Sequence, residues 1–296
     1  MSKNIETIVD DIYKVFNGEH VCSKENLEAL SKRIAEKIQY AIERPKNTGK
    51  GRLVFSNIGT PCTRKLWYIV NSPEVAKELK PNVKIKFVFG DILEELLLFL
   101  AAEAGHDVRG QQKTLEINGV RGKRDAIIDG RLVDVKSASS PSFEKFKRHD
   151  LIGNDSFGYI DQLGAYLQAS NDESNLQDKD IASFLVIDKQ HGHITLDTYP
   201  APDKDYVQDI ESKKQIVAQE NPPERTIPDE PIGKSGNRGL GTVCSYCDFK
   251  YTCWPNLRTF IYSSGPEFLT HVERLPKVIE VNEEGIPIAS KESETF

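Results

Sequence analysis

Two acids and a lysine in close succession, Asp125, Asp134 and Lys136, are the residues of this chain best suited to chemistry. Between the acids lies Asp129-Gly130, a dipeptide that favours a two-residue hairpin turn. Counting outward from that turn, Ile128 faces Arg131, Ile127 faces Leu132, Ala126 faces Val133 and Asp125 faces Asp134. The two acids thus become cross-strand neighbours, with Cβ atoms about 5 Å apart. Like charges that close are costly unless a cation sits between them. Lys136 follows Asp134 by two residues and so shares its face, while Val133 and Val135 point the other way. Two carboxylates able to hold a hard divalent ion, with an amine beside them, suit metal-assisted hydrolysis. For the bare Asp-x-Lys triplet the alternative is a surface hairpin carrying a Lys-Asp pair.

The cysteines form a second set. Cys62 stands alone, and Cys244, Cys247 and Cys253 follow much later as C-x2-C-x5-C. This fits no common zinc finger, whose ligands come as two close pairs. Thiolates suit both zinc and iron-sulphur clusters, so ligand type leaves the metal open. A metal joining Cys62 to Cys244 would close a loop of roughly 180 residues and restrict the unfolded chain. Tyr246, Phe249, Tyr251 and Trp254 interleave with these cysteines and would either stack on bases or shield a cluster from water. Cys22 matches no ligand spacing and reads as a bystander in a helix-helix turn.

The elements that must position these residues can be read from periodicity. Apolar residues at helical spacing mark 4–16 and 24–43, separated by Asn17-Gly18. Residues 44–52 read as a polar linker or basic loop. Cys62 heads a short helix over 63–70, and Gly90-Asp91 opens a helix to about Ala104 with Leu93, Leu96, Leu97 and Leu100 as its inner stripe. Strands are expected over 113–118, 124–128 and 131–136, then at 182–187 and 194–199 across a turn at 189–192. Helices at 156–170 and 203–219 complete the pattern, which predicts an α/β fold, a mixed central sheet flanked by helices.

With 296 residues and 38% hydrophobic composition the chain can build a substantial core. No basic-then-apolar leader is visible, and the longest apolar run, Leu96 to Ala102, is too short to cross a bilayer. A cytoplasmic protein without membrane association is the expectation, and five cysteines in such a setting point to metal or redox roles rather than disulfides. The net charge of −6 argues against bulk electrostatic binding of nucleic acid. Locally, however, Arg109, Lys113, Arg121, Lys123, Arg124, Arg131 and Lys136 crowd around the acids, followed by Lys145, Lys147, Arg148 and His149. Such a patch would hold phosphates, unless these are merely solvated faces. Gly233-Lys234-Ser235 lacks the leading glycine of a phosphate loop, since Pro228 stands there, and His191-Gly-His193 has no third ligand nearby.

Gly122-x-x-Asp125, Asp134-Val-Lys136 and Gln162-x-x-x-Tyr166, in this order and spacing, resemble the motifs of the PD-(D/E)XK nucleases, in the branch of the RecB and AddB nuclease domains and lambda exonuclease. The resemblance covers roughly residues 55–260. Gly90-Asp-Ile-Leu-Glu94 matches the glutamate form of that branch's helix motif; the histidine of RecB-like members is absent. The resemblance implies that Glu94, Asp125, Asp134 and the Val135 carbonyl ligate Mg2+ or Mn2+, with Glu95 as a second choice to Glu94. It also implies that Lys136 orients the attacking water, and that Gln162 and Tyr166 position substrate or the lysine. The cysteines resemble the pattern in AddB and CRISPR-associated exonucleases, where one precedes and three follow the nuclease motifs to bind a [4Fe-4S] cluster; structural zinc is the alternative.

On this resemblance the chain is expected to comprise a restriction-endonuclease-like core over 55–220, a helical region over 1–54, a cluster module over 221–265 together with Cys62, and an acidic tail over 266–296. The expected activity is a metal-dependent DNA exonuclease of recombination, repair or phage DNA metabolism, in a bacterial or phage-infected cell. Its partners would be single-stranded DNA or double-stranded ends and, without a motor of its own, a separate helicase or recombination protein. A non-catalytic nucleic-acid-binding protein and a structure-specific endonuclease are the rivals.

Overall fold

The computed structural model describes residues 3–18, 20–43, 51–72 and 81–288. A 3-10 turn, Ile5–Thr7, leads into α1 (Ile8–Val15), α2 (Lys24–Glu43), α3 (Phe55–Ile58), α4 (Thr63–Asn71) and α5 (Pro81–Glu103). Then come β1 (Val108–Arg109), β2 (Lys113–Ile117), β3 (Val120–Arg124), β4 (Ala126–Ile128), β5 (Arg131–Ala138), α6 (Ser140–Lys147) and α7 (Tyr159–Ala169). β6 (Ile181–Asp188), β7 (Ile194–Pro200), α8 (Tyr206–Val217), β8 (Glu230–Pro231) and β9 (Arg238–Gly239) follow. α9 (Thr242–Ser245), α10 (Lys250–Cys253), β10 (Arg258–Tyr262), β11 (Gly265–His271) and β12 (Ile279–Val281) close the chain. These elements divide into two units, one of Met1–Gly49, Leu53–Gly59 and Glu78–Lys214, the other of Lys50–Arg52, Thr60–Lys77 and Gln215–Phe296.

The first unit is mixed α/β. Its five-stranded sheet runs β1-β4-β5-β6-β7, with β5 and β6 parallel and the other neighbours antiparallel. The alternation of β5 and β6 sends side chains into a separate core on each face. On one side Leu132, Phe184 and Val186 pack with Phe143 and Phe146 of α6, Leu163 and Tyr166 of α7 and Ile210 of α8. On the other Val133, Val135 and Leu185 pack with Ile8 and Ile12 of α1, Leu30 of α2 and Leu97 of α5. Two-sided burial explains the near-continuous apolar run of β6.

The Asp129-Gly130 turn forms as its residues demand. Both have positive φ, 49° and 86°, the signature of a type I′ turn. Asp129 holds it in place, accepting a hydrogen bond from the Asp107 N–H at 2.9 Å and pairing with His106 Nδ1 at 2.6 Å. The register is Ile128 to Arg131, Ile127 to Leu132 and Ala126 to Val133, as the turn dictates. There the ladder stops. Asp125 lies between β3 and β4 and is not a ladder partner of Asp134, which corrects the expected pair.

Other expectations also change. α5 begins at Pro81, so Gly90 lies inside it rather than at its start. Ile85, Phe87 and Phe89 are more than half exposed, so the first half of that helix buries no apolar stripe that periodicity could show. β3 pairs with β2 around Asn118-Gly119, another hairpin dipeptide. Lys145 and Lys147 lie on helix α6, which buries only Phe143 and Phe146. The region expected as an acidic tail contributes β11 and β12 to a second sheet of order β12-β10-β11-β9-β8 in the other unit. Most of the expected linker, residues 44–50, lies outside the described residues, as do residues 289–296.

Gly122 shows why its motif position tolerates no side chain. A Cβ there would fall 2.5 Å from Phe55 Cβ, on a fully buried ring that packs edge-on to Tyr166 at 5.2 Å. Gly122→Ala should therefore destabilise the protein by about 1–3 kcal/mol, read as a lower denaturant midpoint at unchanged slope; an unchanged midpoint would contradict this packing.

Candidate active site

Leaving the ladder, Asp125 makes a contact that a ladder residue could not. Its Oδ2 accepts the Val135 N–H at 2.7 Å, so the carboxylate reaches across to β5 beside Asp134. Asp134 is buried, and its Oδ2 lies 2.7 Å from Lys136 Nζ. Apart from this ion pair the buried Oδ2 has no partner among the described residues. Burial, then the charge of Asp134 and that of Glu94, push the Asp125 carboxyl well above the ordinary carboxylate range; Lys136 and the Val135 N–H oppose this only in part. Burial works against the Lys136 ammonium, but the two acids outweigh it and keep the amine protonated.

The facing helix completes this side. α7 is started by Asp155, whose two carboxylate oxygens accept the Gly158 and Ile160 N–H groups at 2.8 Å each. That fixes Gln162, whose Oε1 accepts from Lys136 Nζ at 3.3 Å. Tyr166 is buried in the core and hydrogen-bonded to Gln162. Burial, then the Asp134 charge, push its phenol above the ordinary range, so it stays neutral. Tyr159, which no motif singled out, sets its ring 5.0 Å from Lys136 Nζ. Its place three residues before Gln162, on the same helical face, was the available signal.

Glu94 approaches from α5. Gln112 donates to its Oε1 at 2.5 Å and Lys37 Nζ lies 3.3 Å away. Burial raises its carboxyl above the ordinary range despite Lys37. Glu95 is a structural residue instead, buried and paired with Arg33 at 2.7 Å and Lys37 at 3.2 Å. Lys37 and Gln112 draw Glu94 aside, and Glu94, Asp125 and Asp134 do not present three ligand atoms within 4.8 Å of one another. Among the described residues only His20, Cys22 and Glu103 do so. The acids nonetheless suit a hard divalent ion in donor chemistry.

The basic surface expected around the site is largely neutralised. Arg124 is buried in a bidentate pair with Glu173, both contacts at 2.8 Å, and Arg131 is buried between Glu6 and Asp178. Arg109 pairs with Asp107, Arg121 with Glu116 and Lys113 with Glu173. On α6, Lys147 and Arg148 lean on Glu144, and His149 holds Asp197. Lys123 and Lys145 stay exposed.

In the second unit Cys62, Cys244, Cys247 and Cys253 line one small cavity. Cys62 caps α4, its sulphur accepting the Lys65 N–H at 3.4 Å. Tyr68, Phe249 and Trp254 supply apolar wall, Phe249 stacking on Tyr68 at 5.3 Å, and Arg64, Lys65 and Lys250 bring positive charge. Burial, then the neighbouring Cys62, Cys247 and Cys253, push the Cys244 thiol up to about 11, and burial also raises Cys247. Four cysteine sulphurs lining one cavity are a fitting donor set for a soft metal. Phe249 is buried and shields; Tyr246 is 71% exposed and does not. His191 is held by Asp188 at 3.0 Å.

No protein-family model matches the sequence, and no curated protein is similar to it. A solved structure described as "Crystal structure of SSO0001" aligns at 16% identity over 76% of this chain and 96% of that one, with a TM-score of 0.40, too low to carry an argument. No described helix is long and apolar enough to cross a membrane.

The acid pair makes a pH prediction. A carboxyl whose folded pKa is raised contributes stability when protonated, below the ordinary value near pH 4, and that contribution is lost as pH rises through the raised value. Asp125→Asn keeps an acceptor for Val135 and removes the repulsion. In chelating buffer it should be more stable than wild type by about 1 kcal/mol or more near pH 8, and the gap should close toward pH 4; a gap independent of pH would contradict the repulsion.

Proposed function

We propose that this chain is a metal-dependent nuclease of the PD-(D/E)XK kind, cutting DNA at or near its ends and braced by a [4Fe-4S] cluster. The observation that carries the reading is the Lys136–Asp134 ion pair beside Asp125, whose oxygen is pinned by the Val135 N–H. Two acids and a lysine crowded around a central strand and left partly uncompensated by their surroundings are a poor structural choice and a good catalytic one.

Asp125 and Asp134, with Glu94 and the Val135 carbonyl, would hold Mg2+ or Mn2+. Such an ion, when bound, polarises a phosphate and lowers the pKa of its water. Lys136 stays protonated beside Asp134 and therefore serves as a fixed positive charge rather than a base, orienting the attacking water and stabilising charge that develops on the phosphate. Gln162 steadies the ammonium from α7, and the Tyr159 ring covers it. Tyr166, neutral and buried, keeps Gln162 aimed. DNA, single-stranded or at duplex ends, is the substrate favoured by this reading. The neutralised arginines suit a short contact rather than a long basic track, with a separate helicase or recombination protein as a partner.

The four cysteines would hold the cluster as a brace. The four sulphurs line one small cavity, and Lys65 and Lys250 beside them suit the negative charge of such a cluster.

With end-labelled single- and double-stranded DNA and Mg2+ or Mn2+, Lys136→Ala should cut about 100-fold more slowly or worse; wild-type activity no higher than the variant's would sink the nuclease reading. Purified without oxygen, the protein should be brown and carry about four irons per chain, and Cys247→Ser should lose the visible absorbance. A colourless protein that retains zinc would replace the cluster with a zinc site.

A further inference from the structure

Cys22 has no ligand partner in the sequence but gains two in the fold. One ligand atom each from Cys22, His20 and Glu103 lie within 4.8 Å of one another. Glu103 ends α5 with its side chain only 2% exposed, while His20 and Cys22 lie just before α2. The carboxylate is set from two sides: Ser23 N donates to Oε2 at 3.0 Å and Asn26 Nδ2 to Oε1 at 2.6 Å. His20 Nε2 stands 2.7 Å from Oε2. Capping of α2 accounts for Glu103, Ser23 and Asn26. It does not account for a free thiol and an imidazole converging on the same carboxylate.

We propose that His20, Cys22 and Glu103 form a site for a zinc-class transition metal, distinct from the acid cluster on β5 and from the four-cysteine cavity. One sulphur, one imidazole nitrogen and one carboxylate oxygen are the donors Zn2+ takes, with water in a fourth position. The hydrogen bonds from Ser23 and Asn26 orient the carboxylate as outer partners do in metal sites. In the metal-free molecule a proton between His20 and Glu103 occupies the place of the ion. On binding, Cys22 releases its proton to solvent, and the proton of the His20–Glu103 hydrogen bond also leaves, to solvent or to Nδ1, which frees Nε2 to coordinate. The ion would tie the start of α2 to the end of α5, the helix that carries Glu94.

The test is made on the full chain in the presence of a phosphine reductant, with Zn2+ and Co2+ as probes. Wild type should bind one more ion per chain than Cys22→Ser or His20→Gln, and part of the cobalt-thiolate absorbance should vanish in Cys22→Ser. Cys22 is exposed and glutamine can keep a bond to Glu103, so in chelator both variants should melt like wild type. Equal metal content in all three proteins would overturn the site. A second measurement needs no variant: added Zn2+ should slow alkylation of Cys22, followed by mass spectrometry, by about ten-fold or more, and an unchanged rate would overturn the proposal. Neither readout involves DNA cleavage, so failure here is separable from failure of the nuclease reading.

Discussion

Asp125 and Asp134 are two negative charges brought together by the backbone of one hairpin, and their surroundings are built around that cost. The type I′ turn at Asp129-Gly130 fixes which residues oppose each other. The break before Ala126 then frees Asp125 to take the Val135 N–H. Each oxygen so placed sits in a poorly solvated site, where repulsion is felt more strongly than in water. Lys136 offsets part of it, and Gln162 and Tyr159 hold Lys136 where it is needed. The remainder is what a divalent cation would remove.

A site under that strain needs rigid walls, and β5 is buried on both faces to provide them. One core locks α7 against the strand and the other locks α5, so residues from two helices and one hairpin meet without depending on a mobile loop. The buried ion pairs Arg124–Glu173 and Arg131 with Glu6 and Asp178 belong to the same scaffold. They consume charge that the sequence alone would assign to phosphate binding.

Much of this was legible because it rests on short-range rules. Asp129-Gly130 dictates a turn, the turn a register, and period two puts Lys136 with Asp134. What was not legible depends on partners distant in sequence. The departure of Asp125 from the ladder follows from β3 pairing with β2, and the first half of α5 is helical without an apolar face. Whether Arg124 meets a phosphate or Glu173 is decided by a residue 49 positions away. Cys22 reads as idle because its neighbour Glu103 is 81 residues on, and β11 and β12 were hidden within a segment whose acids suggested a tail. The charge of Glu94 is felt at Asp125, although its helix starts nine residues earlier than the motif suggested.

The central claim is that the acid pair exists to hold a cation. Its most direct test is a Mn2+ titration followed by electron paramagnetic resonance, on wild type and on Asp134→Asn, with the His20–Cys22 site blocked in both by Cys22→Ser. The account predicts a Mn2+ site in the parent chain that weakens by at least about 100-fold when Asp134 loses its charge. Equal Mn2+ binding by the two proteins would contradict it.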